Sequence, residues 1–221
     1  MAEARRRRAA LSRPTWIVAR RQTAGVGRRG RAWRDPAGNY AATLAMPVDG
    51  GPEAMALRSF VAALAVHDAA ASFVRADALT LKWPNDVLLA DGKLSGILLE
   101  GLDARTLAIG IGVNLAAAPD PGEVEEGALP PASLEGAADV DMFHAALAPA
   151  FEAREATLRG QGFEPIREAW TARARGLGGP IRARLPREEM HGTFEGIDGR
   201  GHLILRTPRG VRHLPAADIA L

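Results

Sequence analysis

Short apolar runs alternate with amphipathic stretches along the chain, in a pattern that predicts an α+β fold. The first segment, through Ser12, carries Arg5 to Arg8 and reads as an arginine-rich helix with a solvated face. Trp16 to Ala19 is a short apolar strand, and Tyr40 to Met46 is a second one. From Glu53 to Arg75 apolar residues recur at Leu57, Phe60, Val61, Leu64, Ala71 and Val74, which is helical spacing. Three further strands are predicted over Leu79–Lys82, Val87–Leu89 and Leu94–Glu100, with Asp91-Gly92 as the hairpin turn between the last two. Thr106 to Leu115 is an almost unbroken apolar strand. Residues 116 to 138, rich in Pro, Gly, Ala and Glu, read as a long surface loop. A second amphipathic helix places Val140, Phe143, Leu147, Phe151 and Leu158 on one face, and a short third helix ends near Trp170.

The texture changes after that. Gly176-Leu177-Gly178-Gly179-Pro180 breaks both periodic patterns and reads as a linker. Ile181, Ala183 and Leu185 then alternate with Arg182 and Arg184, which is strand periodicity. Turn signals at Asp198 to Gly201 and Thr207 to Gly210 separate further short strands, and a small closed β-barrel is expected. The predicted organisation is one unit over residues 1–174 and a second over 175–221.

Composition narrows the function classes. At 221 residues, 47% hydrophobic and 24% charged, the chain is an ordinary globular one, and no uncharged apolar run is long enough to span a bilayer. It has no cysteine, which excludes disulfides, thiolate metal sites and a cysteine nucleophile. No signal peptide opens it, so a cytoplasmic location is expected. The net charge of +2 argues against a nucleic-acid partner, because arginine's fixed charge makes the isoelectric point of about 9.6 high on a small excess. Of the 28 Lys and Arg residues only two are lysine, Lys82 and Lys93, and they stand close together. Codon drift accounts for the arginines and leaves open why these two positions are exempt. His67 lies toward the apolar face of its helix and reads as a core histidine. The remaining histidines have no metal-ligand spacing.

Two constellations carry chemistry. Gly25-Val26-Gly27-Arg28-Arg29-Gly30 matches G-x-G-x-x-G and follows a strand, but Pro36 and Gly38 stand where a dinucleotide-binding turn must open a helix. What remains is a glycine-rich loop with Arg28, Arg29, Arg31 and Arg34 around Trp33. Its backbone amides and guanidinium forks suit a polyphosphate, and its indole suits a base; a solvated basic loop is the alternative. The second constellation is Lys82-Trp83-Pro84-Asn85-Asp86 with Lys93-Leu94-Ser95-Gly96. Antiparallel pairing returns Lys93 beside Asp86, and a compact cation there suits a substrate carboxylate. Charges capping a hairpin fit the same residues.

Together with Gly110-Ile111-Gly112-Val113-Asn114, the segment Gln22 to Trp33 and the two lysine motifs resemble the biotin–protein ligases in order and spacing. The resemblance implies a catalytic domain with a mixed sheet, of the biotin/lipoate ligase or class II synthetase-like type, followed by a small C-terminal SH3-like barrel. It also implies the monofunctional class without a DNA-binding domain. The implied reaction activates biotin's carboxylate with ATP and Mg2+ to biotinyl-5'-adenylate, then passes biotin to a lysine of a biotin carboxyl carrier protein, with no tightly bound prosthetic group. Carried over residue by residue, Lys93 and Arg28 would be catalytic. Gln22, Gly25, Gly27, Arg28, Lys93 and Gly96 would contact biotin. Arg28, Arg31, Trp33, Lys82, Asn85, Asp86 and Asn114 would hold the adenylate, with Asn114 on the adenine edge. No resident metal ligand, DNA or membrane partner is implied, and a homodimer is left open. The base for the transfer step is not identified, with Asp86 a weak candidate.

Two departures stand out. Val26 occupies a position where the family usually carries arginine. The family's Ser-Thr pair, counted back from Gln22, falls immediately upstream of Met1, which points to a start codon assigned too late, with a version that lacks part of its biotin site as the alternative. Two other readings share the residues: a lipoate or octanoate ligase or transferase of the same fold, and an inactive biotin- or RNA-binding relative.

Overall fold

The computed structural model describes residues 1–27, 30, 32–124, 129–185 and 187–220. Six strands form the main sheet: β1 (Thr15–Ala19), β2 (Tyr40–Pro47), β3 (Leu79–Lys82), β4 (Asp86–Leu89), β5 (Gly92–Gly101) and β6 (Thr106–Val113). Their order is β1-β2-β6-β5-β4-β3, and every neighbouring pair is antiparallel, where a mixed sheet was expected. Connectivity explains the difference. Tight turns join β3 to β4, β4 to β5 and β5 to β6, and each reverses the chain.

Alternation along β6 sorts the two faces. Leu107, Ile109, Ile111 and Val113 point into the large core with helix α2 (Gly51–Ala70) and helix α3 (Val140–Gln161). Ala108 points the other way, where Ala4 of α1 (Ala2–Arg7) packs on it and on Ala45. Helix α2 ends five residues before the predicted Arg75, because the chain tightens into turns at Ala71 to Val74. Phe73 and Val74 still pack on the same core, so the apolar spacing outlasts the helix. His67 is buried on α2, as a core histidine should be.

Paired charges tie the helices together. Arg58 of α2 meets Glu155 of α3 at 2.8 Å, both buried, and Asp68 of α2 meets Arg154 of α3 at 2.6 Å. Asp139 starts α3 by accepting a hydrogen bond from Met142 N at 2.8 Å. Helix α4 (Glu164–Thr171) buries Ile166 and Trp170.

The C-terminal strands are β7 (Pro180–Arg184), β8 (Glu189–Ile197), β9 (Leu203–Thr207), β10 (Gly210–Leu214) and β11 (Asp218–Ala220). They form an antiparallel sheet in the order β10-β9-β8-β7-β11, and among the described residues it does not close into the expected barrel. β10 and β11 stand at opposite edges, and β11 is only three residues long.

The glycine-rich segment before β7 is also more than a linker. Gly178 N donates to Phe194 O at 2.7 Å, and Phe194 N donates to Gly179 O at 3.0 Å. One hydrophobic core runs through both sheets. At the seam, the buried Trp83 donates its indole N–H to Gly201 O at 3.0 Å. Gly201, at φ 79°, faces Phe60 so closely that a Cβ would lie 2.5 Å from the ring. The second sheet is thereby fixed against the KWPND turn of the first.

Candidate functional site

A cavity of about 610 Å³ opens on the sheet face opposite α2, bounded by Met1, residues of the Gln22–Trp33 loop, β4, β5, β6 and the C-terminal sheet. Its floor is made by what the strands omit. Gly96 on β5, and Gly110 and Gly112 on β6, occupy cavity-facing positions where any side chain would fill the slot. A Cβ on Gly112 would sit 2.7 Å from the Trp33 indole, and one on Gly96 3.0 Å from it. Only glycine leaves the indole room to lie against the strands.

A β-bulge aims the key cation. Asp86 pairs with Gly96 and Val87 with Ser95, but Leu88 pairs with Lys93, so the register shifts by one residue in β5. Leu94 and Ser95 are consequently both buried, while Lys93 and Gly96 come to the cavity side. The Lys93 chain crosses Gly96, its Nζ lies 2.8 Å from Asp86 Oδ1, and the Trp33 ring centroid is 5.8 Å away. Lys82 stands across the same turn, paired in register with Asp86, and also lines the cavity.

The loop after β1 folds back as a small hairpin. Val26 bridges to Ala32, and Trp33 N donates to Gly25 O at 2.9 Å. Gly25 is required there, since a Cβ would lie 2.5 Å from Trp33 O and 2.7 Å from Gln22 Oε1. Gln22 N donates to Asp35 Oδ2 at 3.1 Å, which closes the base of the loop. Burial outweighs that bond and raises the Asp35 carboxyl above its usual range. Gln22 Oε1 is buried at the cavity and has no hydrogen-bond partner among the described residues, an acceptor suited to an N–H of a ligand. Gly27 also lines the cavity. Arg28 and Arg31 lie outside the described residues.

Two predicted residues are already engaged with the protein. Asn85 is buried and donates its amide to Ile97 O. Asn114 is buried and donates to Ala132 O at 2.9 Å and Lys93 O at 3.4 Å. The predicted surface loop is part of this wall: Lys93 N donates to Pro130 O, Ala132 N to Lys93 O, and Leu134 N to Asn114 O.

Sequence reasoning missed several lining residues. Gly110 and Gly112 stood in the motif that ends at Asn114 but were given no role in the site. Thr43, Arg182, Arg184 and Asp218 also reach the cavity, the last three from the C-terminal sheet, and no local signal marks them.

The chain has recognisable relatives in sequence and in fold. A model of the biotin/lipoate A/B protein ligase family matches residues 1–115, and one of the biotin protein ligase C-terminal domain matches residues 176–221. The chain is similar to the biotin–[acetyl-CoA-carboxylase] ligase of Paracoccus denitrificans, with 52% identity over 227 residues covering 99% of this chain and 95% of that protein. It is 33% identical to the bifunctional ligase/repressor of Bacillus subtilis, over 94% of this chain and 66% of that protein's length. Among solved structures, the Aquifex aeolicus biotin protein ligase in complex with biotin and ATP has the same fold, with a TM-score of 0.79 at 22% identity over 95% of this chain and 89% of that one. On sequence and fold alike, the chain belongs to the biotin/lipoate A/B protein ligase family.

Proposed function

We propose that this chain is an ATP-dependent biotin–protein ligase, which makes biotinyl-5'-adenylate and transfers biotin to a lysine of a biotin carboxyl carrier domain. The observation that carries the reading is the seat of Lys93: a lysine ammonium held by Asp86 over a glycine floor, beneath an indole, at the end of a slot with an unpartnered glutamine oxygen.

The slot suits biotin. Gln22 Oε1 accepts from a ureido N–H, and Gly96, Gly110 and Gly112 offer flat, apolar rings a smooth floor once the Trp33 indole and the Met1 side chain that lie on it move aside. Gly25 and Gly27 let the loop backbone approach. The carboxylate then lies at Lys93. It is ionised at neutral pH, so its attack needs no base. Its oxygen bonds to the α-phosphorus of ATP as the bond to the pyrophosphate oxygen breaks. Lys93 offsets repulsion between the two anions and stabilises charge that builds on the phosphate, an effect concentrated by a partly enclosed site. Trp33 covers the adenylate. Lys82, Asn85 and Asp86 shape the nucleotide end, and Arg28 and Arg31 supply further cations from the loop.

Mg2+ accompanies the triphosphate and shields its charge. Such an ion would need only one or two carboxylates besides phosphate oxygens and water; Asp218 and Glu123 at the cavity would be those donors, Glu123 with one oxygen already accepting from Asp120 N. In the second step the carrier amine attacks the acyl carbon and AMP leaves. Asp86 is already the partner of Lys93, which suits it to hold that lysine rather than to take the amine's proton.

Residues 1–174 form the catalytic unit in this reading, and 175–221 form the C-terminal sheet that closes the phosphate end through Arg182 and Arg184. The reaction belongs in the cytoplasm, where ATP is available, and involves neither DNA nor a resident prosthetic group. Among the described residues no helix is long and apolar enough to cross a membrane.

Exchange of labelled pyrophosphate into ATP tests the reading. It should require biotin, and labelling of a carrier domain should follow. Exchange supported by lipoate instead of biotin would replace the substrate, and no exchange with either would remove the enzymatic function.

A further inference from the structure

Lys93 is gripped by its backbone as well as by Asp86, and the grip leads to a residue outside every motif. Lys93 N donates to Pro130 O at 2.7 Å, while Lys93 O accepts from Ala132 N at 3.0 Å and from Asn114 Nδ2 at 3.4 Å. Asn114 Nδ2 also reaches Ala132 O at 2.9 Å. Two carbonyls converge on that atom, so it is the nitrogen, and Asn114 Oδ1 must face the opposite way. There it accepts from Asn39 Nδ2 at 3.4 Å.

Asn39 is buried just before β2 and every polar atom of its amide is used. Its Oδ1 accepts from Ala116 N at 3.0 Å and Ala117 N at 3.2 Å. Its Nδ2 donates to Ala117 O at 2.8 Å as well as to Asn114. A single side chain thus captures the segment following β6 and fixes the orientation of the Asn114 amide.

We infer that Asn39 is a positioning residue for Lys93, acting through Asn114 and the 129–134 wall to hold the lysine where the reacting carboxylate and phosphate meet. The inference rests on the proposed ligase reading. Chemistry favours such a device: Lys93 sits next to a bulge, where strand pairing is interrupted and cannot by itself fix the side chain's direction. An amide pair supplies directed bonds that a packed apolar residue cannot. A shift of about 1 Å in a charge contact is enough to cost on the order of 100-fold in rate.

The test is a double-mutant cycle in biotin-dependent pyrophosphate exchange, using Asn39→Ala, Lys93→Ala and the pair. Asn39→Ala should lower kcat by roughly 10- to 100-fold while the KM values for biotin and ATP change by less than about 3-fold. In the Lys93→Ala background the same substitution should cost almost nothing, because the group it positions is gone. Asn39→Asp keeps the acceptor for Ala116 N and Ala117 N but loses the donor both to Asn114 Oδ1 and to Ala117 O. It should fold and show the same kcat loss, and it carries the cycle if Asn39→Ala does not fold. Multiplicative losses in the double variant, or an unchanged kcat well below the melting temperature, overturn the positioning role and leave the ligase reading intact. Wild-type protein without exchange sinks the ligase reading itself, and the positioning role with it.

Discussion

Lys93 Nζ and Asp86 Oδ1 lie 2.8 Å apart, although the strand register sets Asp86 opposite Gly96 and not opposite Lys93. The bulge in β5 brings them together, and the missing side chain at Gly96 gives the lysine its path across the strand. Lys93→Ala is expected to lose at least ~100-fold in adenylation, the scale of removing one preorganised charge contact. Lys93→Arg should recover little of this. A planar guanidinium is bulkier and reaches further than an ammonium, and it does not fit a seat shaped for a point charge. Pyrophosphate exchange rates for the two variants provide the check, and wild-type rates for either would remove the role.

Gly112→Ala should obstruct the slot. Its Cβ would stand 2.7 Å from the Trp33 indole, inside any normal contact, so the indole and the loop carrying it must move outward. The expected result is a KM for biotin raised by about 10-fold or more, on the scale of ~1.4 kcal/mol per decade. The melting temperature should stay near wild type. Combining it with Trp33→Ala should restore part of the biotin affinity.

The seam between the sheets depends on Trp83. Trp83→Phe keeps most of the ring but strands the Gly201 carbonyl without the indole N–H, which costs about 1–3 kcal/mol for a buried acceptor. For a chain of this size that is a fall of a few degrees, at about 2–4 °C per kcal/mol, in a thermal melt. No change in melting temperature would show that water replaces the donor.

Acid should loosen the helical layer at Asp68. Burial opposes its charge, but hydrogen bonds from His67 and Arg154 prevail and hold the carboxyl below its usual value. A lowered folded-state value means the stabilisation is complete above the unfolded value of about 3.9 and is lost as pH falls through the lower folded one. Asp68→Asn should therefore be less stable than wild type at pH 7, with the gap narrowing below about pH 4. Urea denaturation at both pH values measures the gap, and a pH-independent difference would contradict the ionic origin.

Much of this was written locally. A turn between β4 and β5 was legible, although Leu89 pairs with Gly92, so Ala90 and Asp91 make it rather than Asp91-Gly92; Asp139 starts α3, and the period of two at Ile181 and Ala183 marks β7. Each depends on backbone geometry or periodicity within a few residues. The Lys93–Asp86 pairing was legible for the same reason, since one hairpin joins them. Closure of the C-terminal sheet was not, because strand count does not say whether the edges meet. Nor was the role of residues 129–134, whose composition signals a loop and says nothing of the strand end it grips.

By itself, the sequence determined the order of elements, the family and the two lysines at the heart of the motif, in a chain where every other basic position is arginine. Both lysines line one cavity beside Asp86, Lys82 paired with it in register and Lys93 Nζ 2.8 Å from its Oδ1. Only the tertiary structure decided that the main sheet is antiparallel throughout, that the second sheet stays open, and that Trp83 reaches Gly201 across 118 positions. It also decided that Asn39 and Asn114, separated by 75, share one hydrogen-bonded chain to Lys93. Directed bonds between residues so distant in sequence depend on how the whole core closes, and no local pattern encodes that closure.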